Sequence, residues 1–310
     1  MSVDSAVADV AVICGPTAAG KSAIALWLAE QRGGVIVSAD SRQIYRGFDV
    51  GTAKPTTEER GHVPHVGVDV VEPTARYSAA AWADAANVWI ADALASGRTP
   101  LVVGGTGLYL RALFEGLFEE PALDRDRRSA LESELGHWPL AELQRWASAL
   151  DPARAHLGRT QLLRAIEIAL LTGRRLSELH AVAARRTRWR PRYLVVDPGA
   201  TLGERIAART DSMLDAGWPD EVRRLMQTVP ADAPAWKATG YDAVRRLVTG
   251  QWSRERARDA IVIATRQYAK RQRTWFRHQL PPDRVTRLNP LDADWREPVR
   301  RWLSGAGAAA

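Results

Sequence analysis

Short apolar runs alternate with longer stretches of helical spacing along this chain. Residues 7–13, 34–39, 100–104 and 193–196 are apolar runs of strand length bounded by glycine or polar residues, the pattern of strands buried on both faces. Residues 22–31, 78–95 and 201–215 repeat their apolar positions with the period of a helix. This alternation predicts an α/β fold around a parallel sheet. From about 119 to 184 the text is helical throughout (DRRSALESEL, PLAELQRWASAL, TQLLRAIEIALLTG), so it reads as an insertion, after which YLVVD returns the chain to the sheet. From Asp220 onward helices dominate again.

The first apolar run leads into GPTAAGKS, Gly15 to Ser22, and a helical pattern follows directly. The spacing is that of a P-loop: glycines let backbone N–H groups turn inward, the lysine neutralises phosphate charge, and the last hydroxyl can hold Mg²⁺. The following helix N-terminus favours an anion. Gly15, Pro16, Thr17, Ala18, Ala19, Gly20, Lys21 and Ser22 are therefore the expected diphosphate site, with Ser22 its metal-facing residue. The expected fold is thus a P-loop NTPase-like parallel-sheet core (1–118, resuming over 185–304) interrupted by a helical insertion domain (119–184). The C-terminal region is helical, and residues 305–310 form a disordered tail.

Composition narrows the class. The chain has 310 residues, 46% of them hydrophobic, enough for one large or two smaller cores. A net charge of +7 suggests an acidic partner such as nucleic acid. The single cysteine, Cys14, excludes an internal disulfide and a Cys/His zinc constellation, and reads as a small buried strand residue. No apolar run of about 18 residues and no basic-then-apolar leader is present, so a cytoplasmic location and no membrane partner are expected.

Two more strand ends carry chemistry. The second apolar run ends at ADSRQIYRGFDVGTAKP; ligands of open α/β sheets bind at strand carboxyl ends, which places Asp40 near the P-loop. That carboxylate could hold Mg²⁺ through water, act as a general base, or cap the following turn. Ser41, Arg42 and Gln43 add groups suited to reading a base or a phosphate. The third run ends at GGTGLYL, where a P-loop hydrolase would usually place an acidic residue; Thr106 stands there instead, which argues against a simple NTPase. Thr106 can equally serve as a helix N-cap.

Together GPTAAGKS, ADSRQIYRGFDVGTAKP, HVGVDVVEP with YSAAAW, and PLVVGGTGLYLRALFEGL resemble the bacterial tRNA dimethylallyltransferases, the IPP transferase family. LLRAIEI, ARTDSMLDAG, KATGYDAV and ATRQYAKRQRTWFRHQ extend the resemblance from about Val10 to Gln279. It implies a monomeric enzyme that transfers a dimethylallyl group from dimethylallyl diphosphate to N6 of adenosine 37 in the anticodon stem-loop of tRNA. Pyrophosphate leaves with Mg²⁺. It further implies Asp40 as general base, Thr106 as its neighbour in positioning, Lys21 on the leaving group, and Arg209 at the diphosphate. Ala19 and Ser22 stand where the family more often has Ser and Thr.

Basic stretches carry the expected RNA contact. AARRTRWRPR reads as a charged linker containing Arg185, Arg186, Arg188, Arg190 and Arg192. In ATRQYAKRQRTWFRHQ, cations and aromatics interleave at helical spacing, so Lys270, Arg271, Gln272, Trp275 and Arg277 are expected to touch RNA, with Trp275 either stacking on a base or packing inward. The resemblance adds Asp40, Ser41, Arg42, Gln43 and Thr106 at the flipped adenine, Gly240 and Tyr241 in KATGYDAV, and Arg128 and Arg164 in the insertion. Gln161 joins them, standing where an arginine is usual. A small-molecule kinase would leave the basic C-terminal helix unexplained. An enzyme alkylating free adenylate would leave the insertion unexplained, and a pure RNA-binding module would not need Lys21, Asp40 and Thr106 at three strand ends.

Overall fold

In a computed structural model, residues 8–116, 123–182 and 188–305 are described. Six strands form one all-parallel sheet: β1 (Ala8–Cys14), β2 (Gly34–Ser38), β3 (His65–Val66), β4 (Thr99–Gly104), β5 (Trp189–Val196) and β6 (Val285–Leu288). Their spatial order is β3-β2-β4-β1-β5-β6. The connection from β1 runs to one side of the sheet and that into β5 to the other, so the carboxyl end of β1 sits at the switch point where such sheets bind ligands.

Helices α1 (Lys21–Arg32), α2 (Thr57–His62), α3 (Ala79–Ala95) and α4 (Gly107–Phe114) belong to the first half of the core. The middle of the chain supplies α5 (Arg125–Leu135), α6 (Leu140–Leu150), α7 (Arg159–Thr172) and α8 (Leu176–Val182). The C-terminal part adds α9 (Leu202–Asp215), α10 (Trp218–Thr228), α11 (Tyr241–Val248), α12 (Arg254–His278) and α13 (Arg296–Ser304). The chain divides into two compact units, residues 1–114 with 188–310, and residues 115–187. The sheet core is closed by residues such as Ile13, Ile24, Leu28, Leu101 and Leu194, each at most 2% exposed. The insertion has a separate apolar cluster built on Leu135, Leu143, Ala147, Leu162 and Ile166.

The expected strands appear within a residue or two except the fourth, which begins at Trp189 rather than at 193. Arg190 and Arg192 are therefore strand residues: Arg190 pairs with Asp9 at 2.5 Å, and Arg192 donates to the carbonyls of Trp302 and Leu303. The linker reading fails for these two; Arg185 and Arg186 lie outside the described residues, as does all of the expected tail beyond Gly305. The edge strands β3 and β6, two and four residues long, are too short to stand out in the sequence. Cys14 is wholly buried at the end of β1, and burial pushes its thiol up to about 12, in keeping with a packing role.

Candidate active site

Register brings the three strand ends together. Ser38 lies beside Val103, and Cys14 beside Gly104, so the turns after β2, β1 and β4 emerge next to one another. Gly104 permits the approach, because a Cβ there would overlap the Ala39 carbonyl. Ala39 N–H donates to the Val103 carbonyl at 2.8 Å and Thr106 N–H to the Ala39 carbonyl at 3.2 Å, which ties the turns after β2 and β4.

The P-loop closes over the N-terminus of α1, whose cap, Gly20, takes φ +97° and whose first turn holds no acidic residue. The positive end of the helix is thus left for an anion. Ala18 sits at φ +61°, a conformation a side chain rarely adopts, and Arg205 Nε donates to its carbonyl at 2.9 Å. Lys21 Nζ donates to the Pro16 carbonyl at 2.7 Å. Burial, then the neighbouring Arg209, push the Lys21 ammonium down to about 8, against a smaller upward pull from Asp40. Burial also lowers Arg209, while Asp40 opposes that shift.

Two cavities flank the loop. The larger, about 530 Å³, has Gly20, Lys21, Ser22, Lys54, His65 and Arg205 among its walls. The smaller, about 80 Å³, holds Thr17, Asp40, Arg42, Thr265 and Tyr268. Ala18 and Arg209 line both, so they form a shared wall. Asp40 Oδ1 accepts from Arg42 N–H at 2.8 Å, which caps its turn while the carboxylate also lines the smaller cavity. Thr106 Oγ1 accepts from Ser41 N–H at 3.1 Å, fixing the turn after β2 to the start of α4.

Several expected site residues have other work. Gly15 lies against the Val196 carbonyl and Ala19 is buried in the core, so they shape the loop rather than face a cavity. Gln43 uses its amide inside its own loop, accepting from Ser38 Oγ and donating to the Thr52 and Ala53 carbonyls, although it also lines the larger cavity. Tyr241 is fully buried and its hydroxyl donates to Glu221 at 2.7 Å, so the expected RNA contact is corrected to a packing role. Glu221 accepts from the backbone N–H groups of Asp49 and Val50 as well, which anchors the loop bearing Thr52. Gly240 is a cap at φ +94° pressed against Trp218; it too serves packing. Gln272 is buried and bonds the P-loop, which corrects its expected RNA contact.

Along α12, Lys270, Arg271 and Arg277 are exposed. Trp275 is half-buried against Gly107, with its ring 5.3 Å from that of the buried Phe276, so of the two expectations inward packing is the one seen. Arg128, Gln161 and Arg164 lie in the insertion unit, where Arg128 and Arg164 both pair with the buried Glu167 at 2.6 Å and Gln161 Oε1 accepts from Gly158 N–H at the start of α7. Sequence reasoning missed Tyr268. Its side chain is half-buried with the hydroxyl in hydrogen-bonding reach of Thr106, and burial with the charge of Asp40 pushes it up to about 12 against smaller downward effects of Arg42 and Thr106, so it stays neutral.

The profile of the IPP transferase family matches residues 43–279, and that of the isopentenyl transferases residues 8–66. The chain is 44% identical to the tRNA dimethylallyltransferase of Burkholderia thailandensis over 288 residues, 88% of each chain. It is 42% identical to that of Anaeromyxobacter dehalogenans over 302 residues, 94% of this chain and 99% of the other. The crystal structure of the full-length tRNA isopentenylpyrophosphate transferase of Bacillus halodurans superposes with a TM-score of 0.69 at 32% identity, covering 97% and 96% of the two chains. With its sheet order, its P-loop and a family match over most of its length, this chain belongs to the IPP transferase family.

Proposed function

We propose that this enzyme transfers a dimethylallyl group from dimethylallyl diphosphate to N6 of adenosine 37 in tRNA, releasing pyrophosphate and acting as a monomer. The observation that carries the reading is the pair of cavities meeting at Ala18 and Arg209, one lined by Lys21 and Ser22, the other by Asp40 and Tyr268. The names of the curated relatives, tRNA dimethylallyltransferases, support the substrate class.

In the step, the bond between the allylic carbon and the diphosphate oxygen breaks and the bond from adenine N6 to that carbon forms. Negative charge grows on the leaving oxygens, where Lys21, Arg209 and the N-terminus of α1 would stabilise it by fixed electrostatics. The N6 proton goes to Asp40, whose turn-capping bond uses only one oxygen of a group that can accept several. Adenine must leave the loop stack to reach the smaller cavity, and a single-stranded loop lowers that cost.

Ser22 presents a hydroxyl on the wall of the larger cavity beside Lys21, and no group of three or more His, Cys, Asp or Glu suited to a metal occurs among the described residues. That donor set fits Mg²⁺, which binds through few protein ligands and keeps substrate phosphate and water. Bound there, Mg²⁺ would add positive charge at the leaving diphosphate. Lys270, Arg271 and Arg277 on α12 would bind RNA phosphates, and Arg128, Gln161 and Arg164 would do so from the insertion.

The test is mass spectrometry of nucleosides from tRNA incubated with the protein, Mg²⁺ and dimethylallyl diphosphate. Dimethylallyladenosine from tRNA and none from free AMP or ATP is the expected result. Alkylated free nucleotide, or phosphate moved from ATP to a metabolite, would replace the reading.

A further inference from the structure

Helix α12 has two chemically different faces. Lys270, Arg271 and Arg277 are exposed, whereas Ala269, Gln272 and Phe276 are buried. Gln272 is the polar member of that inner face, 6% exposed, and a buried amide is costly unless bonded at both ends. Its Oε1 accepts from Thr17 N–H at 2.8 Å, and its Nε2 donates to the Gly105 carbonyl at 2.8 Å. One side chain therefore spans the P-loop and the turn after β4. An ionised glutamate could accept but not donate, and methionine of similar length could not donate and accepts only weakly. The fit is close, because a Cβ on Gly105 would overlap Nε2. Thr17 is in turn next to Ala18, the strained residue of the wall between the cavities, and its hydroxyl lies 3.4 Å from Arg209.

We propose that Gln272 is a positioning residue that couples RNA docking on the outer face of α12 to the grip of the P-loop on diphosphate. The proposal rests on the transfer reaction above. An RNA that settles α12 also settles Gln272, and through it Thr17 and Gly105. By linkage, diphosphate then tightens RNA by the same factor that RNA tightens diphosphate.

The experiment is titration calorimetry of pyrophosphate with Mg²⁺ on the full chain, with and without saturating anticodon stem-loop RNA, and of the RNA alone. In the wild type, RNA is expected to tighten pyrophosphate by about 5-fold or more, the lower end of usual coupling. Gln272→Met is expected to weaken pyrophosphate alone by about tenfold, to abolish the effect of RNA, and to leave the affinity for RNA alone within about twofold, consistent with the loss of two buried hydrogen bonds. Should Gln272→Met fail to fold, Gly105→Ala pushes on the same amide from the other side with α12 unchanged, and the same loss of coupling is expected. Equal pyrophosphate affinity with and without RNA in the wild type, or coupling that survives both variants, overturns the proposal. Weakened RNA binding with unchanged pyrophosphate affinity also overturns it, as the mark of a direct RNA contact. Both titrations are read without turnover, so a missing prenyl product would strike the transfer reading and leave this test intact.

Discussion

Lys21 shows how a single side chain turns position into pH dependence. Its ammonium is pushed down to about 8 by burial and by Arg209, against about 10.4 in an unfolded chain. Between those values the unfolded chain binds more protons, so the folded state gains stability as pH rises through that window. Ligand binding runs the other way, because a bound diphosphate favours the protonated lysine. Pyrophosphate affinity should hold steady below about pH 8 and weaken above it by up to about tenfold per pH unit, and Lys21→Ala should remove that slope. Calorimetry from pH 6.5 to 9.5 checks both; an equal slope in the variant would place the titration elsewhere. Asp40→Asn keeps an acceptor for Arg42 N–H and removes the proposed proton acceptor, so kcat should fall by about 10² or more at unchanged RNA affinity. Tyr268→Phe removes one neutral hydroxyl beside Thr106, with an expected loss of about 2- to 10-fold in kcat/KM for RNA. Lys21 and Asp40 were legible because motif and strand end fix where they point. Tyr268 and Gln272 were not: they lie four residues apart in a basic segment, and helical spacing alone does not say which face turns toward the P-loop.

At the scale of elements, the sheet was legible where strands are buried on both faces and obscure where they are not. β5 pairs with β1 from Trp189 onward but with β6 only from Tyr193, so its first half has one bare edge that tolerates Pro191 and exposes Arg190. A text of W-R-P-R therefore hid a strand. Helix α12 was legible as helical spacing in its basic second half, but its charges serve two purposes. Arg266 donates to the Gly203 carbonyl and Arg273 binds Asp197 and the Gly199 carbonyl, which docks the helix on the segment leading into α9. Lys270 and Arg271 are exposed, with the Arg271 guanidinium 5.9 Å from the centre of the Tyr268 ring. Replacing both with alanine should therefore lower the slope of log affinity against log salt by about 1.4, at about 0.7 per phosphate contact on single-stranded RNA. The same double replacement should leave pyrophosphate affinity without RNA unchanged. Binding titrations over a range of salt concentrations decide it, and an unaltered slope would place RNA on another face.

At the scale of the whole molecule, the insertion and the sheet core each have the means to hold themselves together. In the insertion, Leu143, Ala147, Leu162 and Ile166 are fully buried, Glu167 gathers Arg128 and Arg164, and the buried Asp151 accepts from the N–H and hydroxyl of Ser177 at the start of α8. The text between 119 and 184 is helical throughout, while the internal ties of this unit rest on acids and arginines whose partners no periodicity reveals. Both cavities are lined wholly by the sheet-core unit. Pyrophosphate at about 100 times its dissociation constant should therefore add about 2.7 kcal/mol to the stability of that unit. In hydrogen exchange, amides of β1, α1 and β4 should slow on adding pyrophosphate, whereas those of α6 and α7 should keep their rates. The slowing should vanish in Lys21→Ala, which removes the cation and leaves the sheet intact. Protection spreading equally into α6 and α7 would show that the two units unfold as one, and would contradict their separate cores as the source of stability.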